Sequence, residues 1–250
     1  MASDNQRIIN DKVPINADSV SQFFEERAAR FDQSHPLVSI LYQDSNPALA
    51  EARDRHEKEV ILPLLHLKAS DRVLDIGCGI GRWADALRGK VARYHGTDLS
   101  AGLTGIAARR LADQPDFSFQ ALPAQENQPD RLECPPPFDL IIIAGVLAYI
   151  NDDECRRVLA NAAAGAGRPA RIYLREPIGI QARLTLKNVW SEELRHEYSA
   201  IYRTVPELLE MIQTSIGQSG FRVDQNEPLL SGALANRRET SQQYFIIQRQ

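Results

Sequence analysis

From Asp71 onward, short apolar runs alternate with helical stretches, and this rhythm constrains the fold more than any other feature of the chain. The runs fall at 72–76, 93–97, 116–120, 138–144 and 170–174, with helical patterns at 82–87, 101–111 and 152–164 between them. Such alternation predicts βαβ units around a parallel sheet. The run at 138–144 is apolar at nearly every position, as expected of a central strand buried on both faces. Beyond it, Thr204 and Glu207 match a capping box, and Leu208, Leu209, Ile212 and Ile216 make the buried stripe of a helix ended by Gly220. Two further strands are expected at 221–223 and 243–247.

Before residue 70 the pattern is helical. Val20, Phe23, Phe24, Arg27, Ala28 and Phe31 share one face, with Asp18 or Ser19 as the expected cap. Asn46 and Pro47 then open a second helix that runs towards Leu65. Residues 1–66 read as a helical cover and 67–250 as the main domain, with a substrate-facing insertion at 175–203 that is irregular or partly helical.

A chain of 250 residues, 43% of them hydrophobic, buries a sizeable core as one domain. The net charge of -4, with no basic patch, argues against a nucleic-acid partner. The longest apolar run, 140–150, is broken by Gly145 and falls short of the roughly 20 residues of a membrane span. With 3 cysteines and a polar start, a reducing cytoplasm is the expected location.

Val73-Leu74-Asp75-Ile76-Gly77-Cys78-Gly79-Ile80-Gly81 carries an apolar strand directly into glycines at alternate positions and then into a helix. Glycine lets the backbone bend sharply there and approach a ligand. A dinucleotide fingerprint needs G-x-G-x-x-G, and here the third glycine comes one place early. Asp75 also disfavours a pyrophosphate and favours a cation such as an ammonium. Asp98 ends the next strand about twenty residues on, where a ribose-binding acid is expected, and its two oxygens suit two vicinal hydroxyls. The expected ligand carries a ribose and a positive charge but no phosphate, a description S-adenosyl-L-methionine meets. Cys78 has no partner at metal-ligand spacing, so no metal site is expected.

On these residues the chain resembles the class I S-adenosylmethionine-dependent methyltransferases. The resemblance covers about residues 60–250 and includes 138–143 followed by Ala144-Gly145-Val146-Leu147. It implies a doubly wound, Rossmann-like α/β fold with a seven-stranded, mostly parallel sheet whose last strand is antiparallel. It implies site residues too. Asp75 and the turn backbone at Gly77, Cys78, Gly79 and Gly81 hold the methionine portion, Asp98 holds the ribose, and Leu99 flanks the adenine, with Ser100, Ala144 and Gly145 alongside. Many members place an acid after the third strand for the adenine amino group. This chain has Gln120-Ala121-Leu122-Pro123 instead, which leaves that contact to Gln120 or the backbone at Ala121.

For the acceptor, loops leaving the strands at the cofactor end are the expected walls. Tyr149 follows one strand and Arg175-Glu176-Pro177 another, while Tyr198, Tyr202 and Arg203 lie in the insertion and Tyr42 in the cover. Glu176 is the expected base, with His196 the alternative. The function expected is methyl transfer to an oxygen or nitrogen of a small molecule, in a bacterial secondary-metabolite or glycan-precursor pathway, by a monomer or homodimer. The alternatives are a nicotinamide-dependent oxidoreductase and a non-catalytic module that binds the adenosyl cofactor.

Overall fold

The computed structural model describes residues 6–41 and 44–250. Strand β1 (Gln6–Ile9) comes first, then helix α1 (Ala17–Ala29) and the short α2 (Val38–Leu41). The cap of α1 is Asn16, not Asp18 or Ser19: its extended backbone lets Oδ1 accept the Ser19 N–H at 3.0 Å, and Asp18 instead places its charge in the first turn. Helix α3 (Pro47–Leu64) starts as expected, with Asn46 accepting the Leu49 N–H at 3.1 Å.

The alternating segment folds as β2 (Arg72–Ile76), α4 (Arg82–Leu87), β3 (Arg93–Asp98), α5 (Ala101–Arg110), β4 (Phe117–Ala121), β5 (Phe138–Ala144), α6 (Asp152–Gly165) and β6 (Ala166–Gly179). After β7 (Leu184–Ser191) and β8 (His196–Tyr202) come α7 (Val205–Ile216), β9 (Arg222–Pro228) and β10 (Thr240–Arg249). One sheet of seven strands has the order β4-β3-β2-β5-β6-β10-β9, with β10 antiparallel to both neighbours. This is the expected Rossmann-like α/β sheet with its antiparallel last strand.

Strand periodicity of two sorts the core residues onto two faces. Leu74, Ile141, Ile143, Ile172 and Phe245 pack against Val158 and Leu159 of α6 and Leu208 and Ile212 of α7. Val73, Leu140, Ile142, Tyr173 and Ile246 pack against Ile61 of α3 and Trp83 and Leu87 of α4. Each fully buried Leu or Ile contributes about 1.5–3 kcal/mol, so β5, with no Ile or Leu exposed, anchors both layers. Helix α3 therefore packs on the sheet, whereas β1, α1 and α2 of the expected cover lie elsewhere.

Residues 175–203 depart from expectation. Arg175 to Gly179 simply extend β6, and β7 and β8 form an antiparallel hairpin joined at its edge by β1, making a second sheet of order β1-β7-β8. Two physical causes hide this hairpin. A bulge between Leu186 and Val189, with Asn188 at φ 51°, interrupts the alternation of β7. In β8, Tyr198 to Ile201 are buried on both faces and show no alternation at all. The hairpin and α1 share a core of Val20, Phe23, Phe24, Tyr149, Tyr198 and Ile201, which roofs the carboxyl ends of the sheet strands.

Candidate active site

The turn after β2 is built around positions that admit no side chain. Gly77 has φ +75°, and a Cβ there would lie 2.3 Å from Val146 Cγ2; Gly81 has φ +78°, with Leu111 Cδ1 at 2.7 Å. The Gly77 and Cys78 N–H groups both donate to the Thr97 carbonyl, at 2.7 and 2.9 Å, which ties the turn to β3. Asp98, at the end of β3, accepts the Gly79 N–H at 2.9 Å and the Ser100 N–H at 3.0 Å, one on each oxygen. Burial pushes its carboxyl up to about 6, against the opposing pull of those N–H groups. With one bond per oxygen, the carboxylate keeps lone pairs for further donors.

Gly77, Cys78, Gly79, Asp98, Ala144 and Gly145 line one end of a cavity of about 660 Å³. Tyr149, Tyr198 and Tyr202 line it from the roof, joined through their hydroxyls: Tyr149 to Tyr198 at 2.8 Å, and Tyr202 donating to Tyr198 at 3.3 Å. Arg175 lines the floor and donates to Gln242 Oε1 at 3.2 Å.

The floor also holds a buried charge network that sequence reading missed. Glu57 on α3 accepts from Arg82 at 2.8 and 3.1 Å, from the Tyr173 hydroxyl at 2.6 Å and from Arg175 Nε at 3.3 Å. Burial alone would raise its carboxyl, but Arg175 and Arg82 outweigh that and hold it at about 2. Asp54, three residues earlier, takes Arg82 at 3.0 Å. The available signal was this acid pair at helical spacing on a face that otherwise carries Ala50 and Ile61 to the core.

The comparisons with known proteins agree with this geometry. Residues 74–167 match the family model described as a methyltransferase domain. That segment, from β2 to the start of β6, is therefore similar to a methyltransferase domain. The fold of the chain is that of the class I S-adenosylmethionine-dependent methyltransferases, as three solved structures illustrate. Phosphoethanolamine N-methyltransferase 1 of Haemonchus contortus, in complex with phosphoethanolamine and S-adenosylhomocysteine, superposes with a TM-score of 0.71 at 18% identity, over 93% of this chain and 48% of that one. This chain thus spans about half of that enzyme's length. Magnesium protoporphyrin IX methyltransferase of Synechocystis, with bound S-adenosylmethionine, gives 0.63 at 16% identity over 96% and 100% of the two chains. The 1,6-didemethyltoxoflavin-N1-methyltransferase of Burkholderia thailandensis gives 0.63 at 17% identity over 98% and 96%. No curated protein matches the sequence at a significant level.

Within the methyltransferase domain and its roof, several expected site residues take other roles. Glu176 is 2% exposed, and its carboxylate accepts the N–H groups of Val146, Leu147 and Ala148 at 2.9, 2.9 and 3.0 Å. It anchors the loop after β5 and does not line the cavity, because its side chain leaves β6 on the face opposite Arg175. His196 lies beside a separate pocket of about 310 Å³, with Nε2 3.1 Å from Glu26 and its ring edge-on to Phe23. It too lies outside the cavity that Asp98 and the glycine turn line.

Arg203, 1% exposed, donates to Asp152 at 2.8 Å and to the carbonyls of Leu147 and Ile150, fastening the hairpin to α6 rather than contacting an acceptor. Asp75, 2% exposed, accepts from Tyr94 at 2.5 Å beneath the turn and does not line the cavity; burial raises its carboxyl to about 7. Gln120 is occupied by His95, Glu133 and Arg131. Ser100 caps α5, accepting the Leu103 N–H at 3.0 Å, Gly81 is the residue before α4, and Leu99 packs on the roof core. Ala121 is exposed at the end of β4, paired in register with Asp98. Tyr42 lies outside the described residues.

Proposed function

We propose that the protein transfers a methyl group from S-adenosyl-L-methionine to an oxygen or nitrogen of a small-molecule acceptor. One observation carries this reading: Asp98 and the glycine turn form one end of the same roofed cavity whose other walls are tyrosines and arginines. The site fits the cofactor, since the Asp98 carboxylate keeps lone pairs for ribose hydroxyls and the glycine turn brings its backbone at Gly77 and Gly79 to the cavity wall. When bound there, S-adenosylmethionine would supply a methyl group activated by a sulfonium.

The chain's own contribution is alignment. No histidine is among the cavity-lining residues, and each lining acid already accepts hydrogen bonds: Glu57 and Glu239 from arginines, Glu192 from Trp190, Glu193 from Ser45, and Asp98 from the Gly79 and Ser100 N–H groups. Proximity and orientation alone account for large rate effects when the acceptor atom already carries a lone pair. This favours an amine or an ionised oxygen over an alcohol. The roof of α1, β7 and β8 covers the site with apolar side chains. The methyltransferase-domain match leaves the nicotinamide reading without support. We place the reaction in a reducing cytoplasm, which suits the buried thiols Cys78, Cys134 and Cys155.

The test is incubation of the protein with methyl-labelled S-adenosylmethionine and a cell extract separated into small-molecule, protein and nucleic-acid fractions. Label should enter the small-molecule fraction. Label confined to protein or nucleic acid, or no transfer at all, would overturn the proposal.

A further inference from the structure

The cavity is charged very unevenly from end to end. Its Asp98 end lies on β3, whereas Arg175 lies on β6 and Thr240, Ser241 and Gln242 on β10, with β2 and β5 between. At about 4.8 Å per strand, the β10 end is roughly 19 Å along the sheet from the ribose acid. At that far end three more arginines line the cavity: Arg53 from α3, and Arg237 and Arg238 from the segment before β10.

None of these three arginines makes an ion pair among the described residues, although Arg237 lies near enough to Glu193 to help lower its carboxyl. Arg53 donates through Nε and Nη2 to the Leu234 carbonyl and through Nη2 to Asn236 Oδ1, neutral acceptors at 2.6–2.9 Å. No carboxylate meets it among the described residues, and its Nη1 is left over. Arg237 and Arg238 have neither an ion pair nor a side-chain hydrogen bond among the described residues. Half-burial, then the nearby cations Arg237 and Arg175, hold Arg53 below the usual guanidinium range, so the three charges crowd one wall. The other lining acids are bonded elsewhere: Glu57 is shared between Arg82, Tyr173 and Arg175, Glu239 pairs with Arg7, Glu192 accepts from Trp190 and Glu193 from Ser45. Like charges gathered on one wall at the open end of the cavity repel, and an anion between them would relieve that repulsion.

We infer that Arg53 and Arg237, with Arg238 beside them, form a subsite for an anionic group of the acceptor, a carboxylate or phosphate. The inference rests on the methyl-transfer reading and adds the substrate class: a small acid whose nucleophilic atom sits a few bonds from its anionic group, so that the arginines hold the tail while the head reaches the β2 and β5 turns. A carboxylate at this wall has two possible sources, the acceptor or the amino-acid end of the cofactor. The strand count favours the acceptor. A cofactor whose ribose sits on Asp98 spends its length over β2 and β5, one or two strand spacings away, before β10 is reached.

The experiment uses the full chain saturated with S-adenosylhomocysteine and titrated calorimetrically with inorganic phosphate and, separately, malonate, at ionic strength held constant with chloride. At least one of the two anions should bind saturably. Arg237→Gln, at an exposed loop position that cannot disturb the core, should weaken that binding about fivefold or more, and Arg53→Gln should do the same. The affinity of both variants for S-adenosylhomocysteine should stay within about twofold of the parent. No saturable binding of either anion, or equal binding by parent and variants, would overturn the subsite. A matching loss of S-adenosylhomocysteine affinity would also overturn it, by assigning the arginines to the cofactor's carboxylate. Failure of the parent to bind S-adenosylhomocysteine at all would instead refute the methyl-transfer reading beneath it.

Discussion

At the scale of single residues, the site turns on buried carboxyls with opposite tuning. Asp98 at about 6 and Asp75 at about 7 lie above their ordinary range because burial penalises the charged form, whereas Glu57 at about 2 lies below it. A raised carboxyl contributes stability that is complete below its unfolded pKa of about 3.9 and is lost as pH rises through its folded value. Asp75 and Asp98 should thus make the ligand-free protein less stable between about pH 5 and 7.5. Glu57 acts the other way, contributing stability above about pH 4.3 that is lost as pH falls towards 2. Asp75→Asn keeps an acceptor for the Tyr94 hydroxyl and should flatten the loss from pH 5 to 7.5, as read by urea denaturation at each pH. An unchanged slope would remove Asp75 as its source. Glu176→Gln puts an amide NH2 against backbone N–H donors and should cost about 1–3 kcal/mol of stability. The pH profile of turnover should keep its shape, whereas a base would change it.

At the scale of elements, the roof decides what enters. Phe23 stacks edge-on with Phe24, His196 and Tyr198 at ring distances of 5.2, 5.4 and 5.7 Å, and so couples α1 to β8. Phe23→Ala should destabilise by about 3–5 kcal/mol and raise amide hydrogen exchange across 184–202 more than across β5. Uniform exchange would show that the roof is not a separate unit. The sheet elements were legible in the sequence because their period is clean and their punctuation strong: Asp75 to Gly81, Asp98 and the Thr204–Glu207 box each announce an element boundary. The hairpin was not, since a bulge and two-sided burial erase its period. Glu176 looked like a base for the same reason that Asp98 looked like a ribose acid, a strand-end carboxylate. What separates them is placement: Asp98 lines the cavity, whereas Glu176 follows the lining Arg175 by one position and so leaves β6 on the opposite face. The Glu57 network joins α3 to α4 and β6, and its only local mark in the sequence is the acid pair Asp54 and Glu57 on the face of α3 that carries Ala50 and Ile61.

At the scale of the whole molecule, a net charge of -4 conceals a cavity with Asp98 at one end and the guanidinium groups of Arg53, Arg237 and Arg238 at the other. Global charge sets solubility and long-range steering; the placement of charge along the sheet edge sets orientation inside the cavity. The most direct test of the account is calorimetric titration of the purified protein with S-adenosylhomocysteine and, in parallel, with NAD. S-adenosylhomocysteine should bind one per chain with Kd on the order of micromolar and, at a hundredfold excess over Kd, raise stability by about 2.7 kcal/mol. Asp98→Ala should weaken it by about 1.5–3 kcal/mol while leaving the fold intact, and NAD should not bind. Equal binding of NAD, or unaltered S-adenosylhomocysteine affinity in Asp98→Ala, would contradict the account.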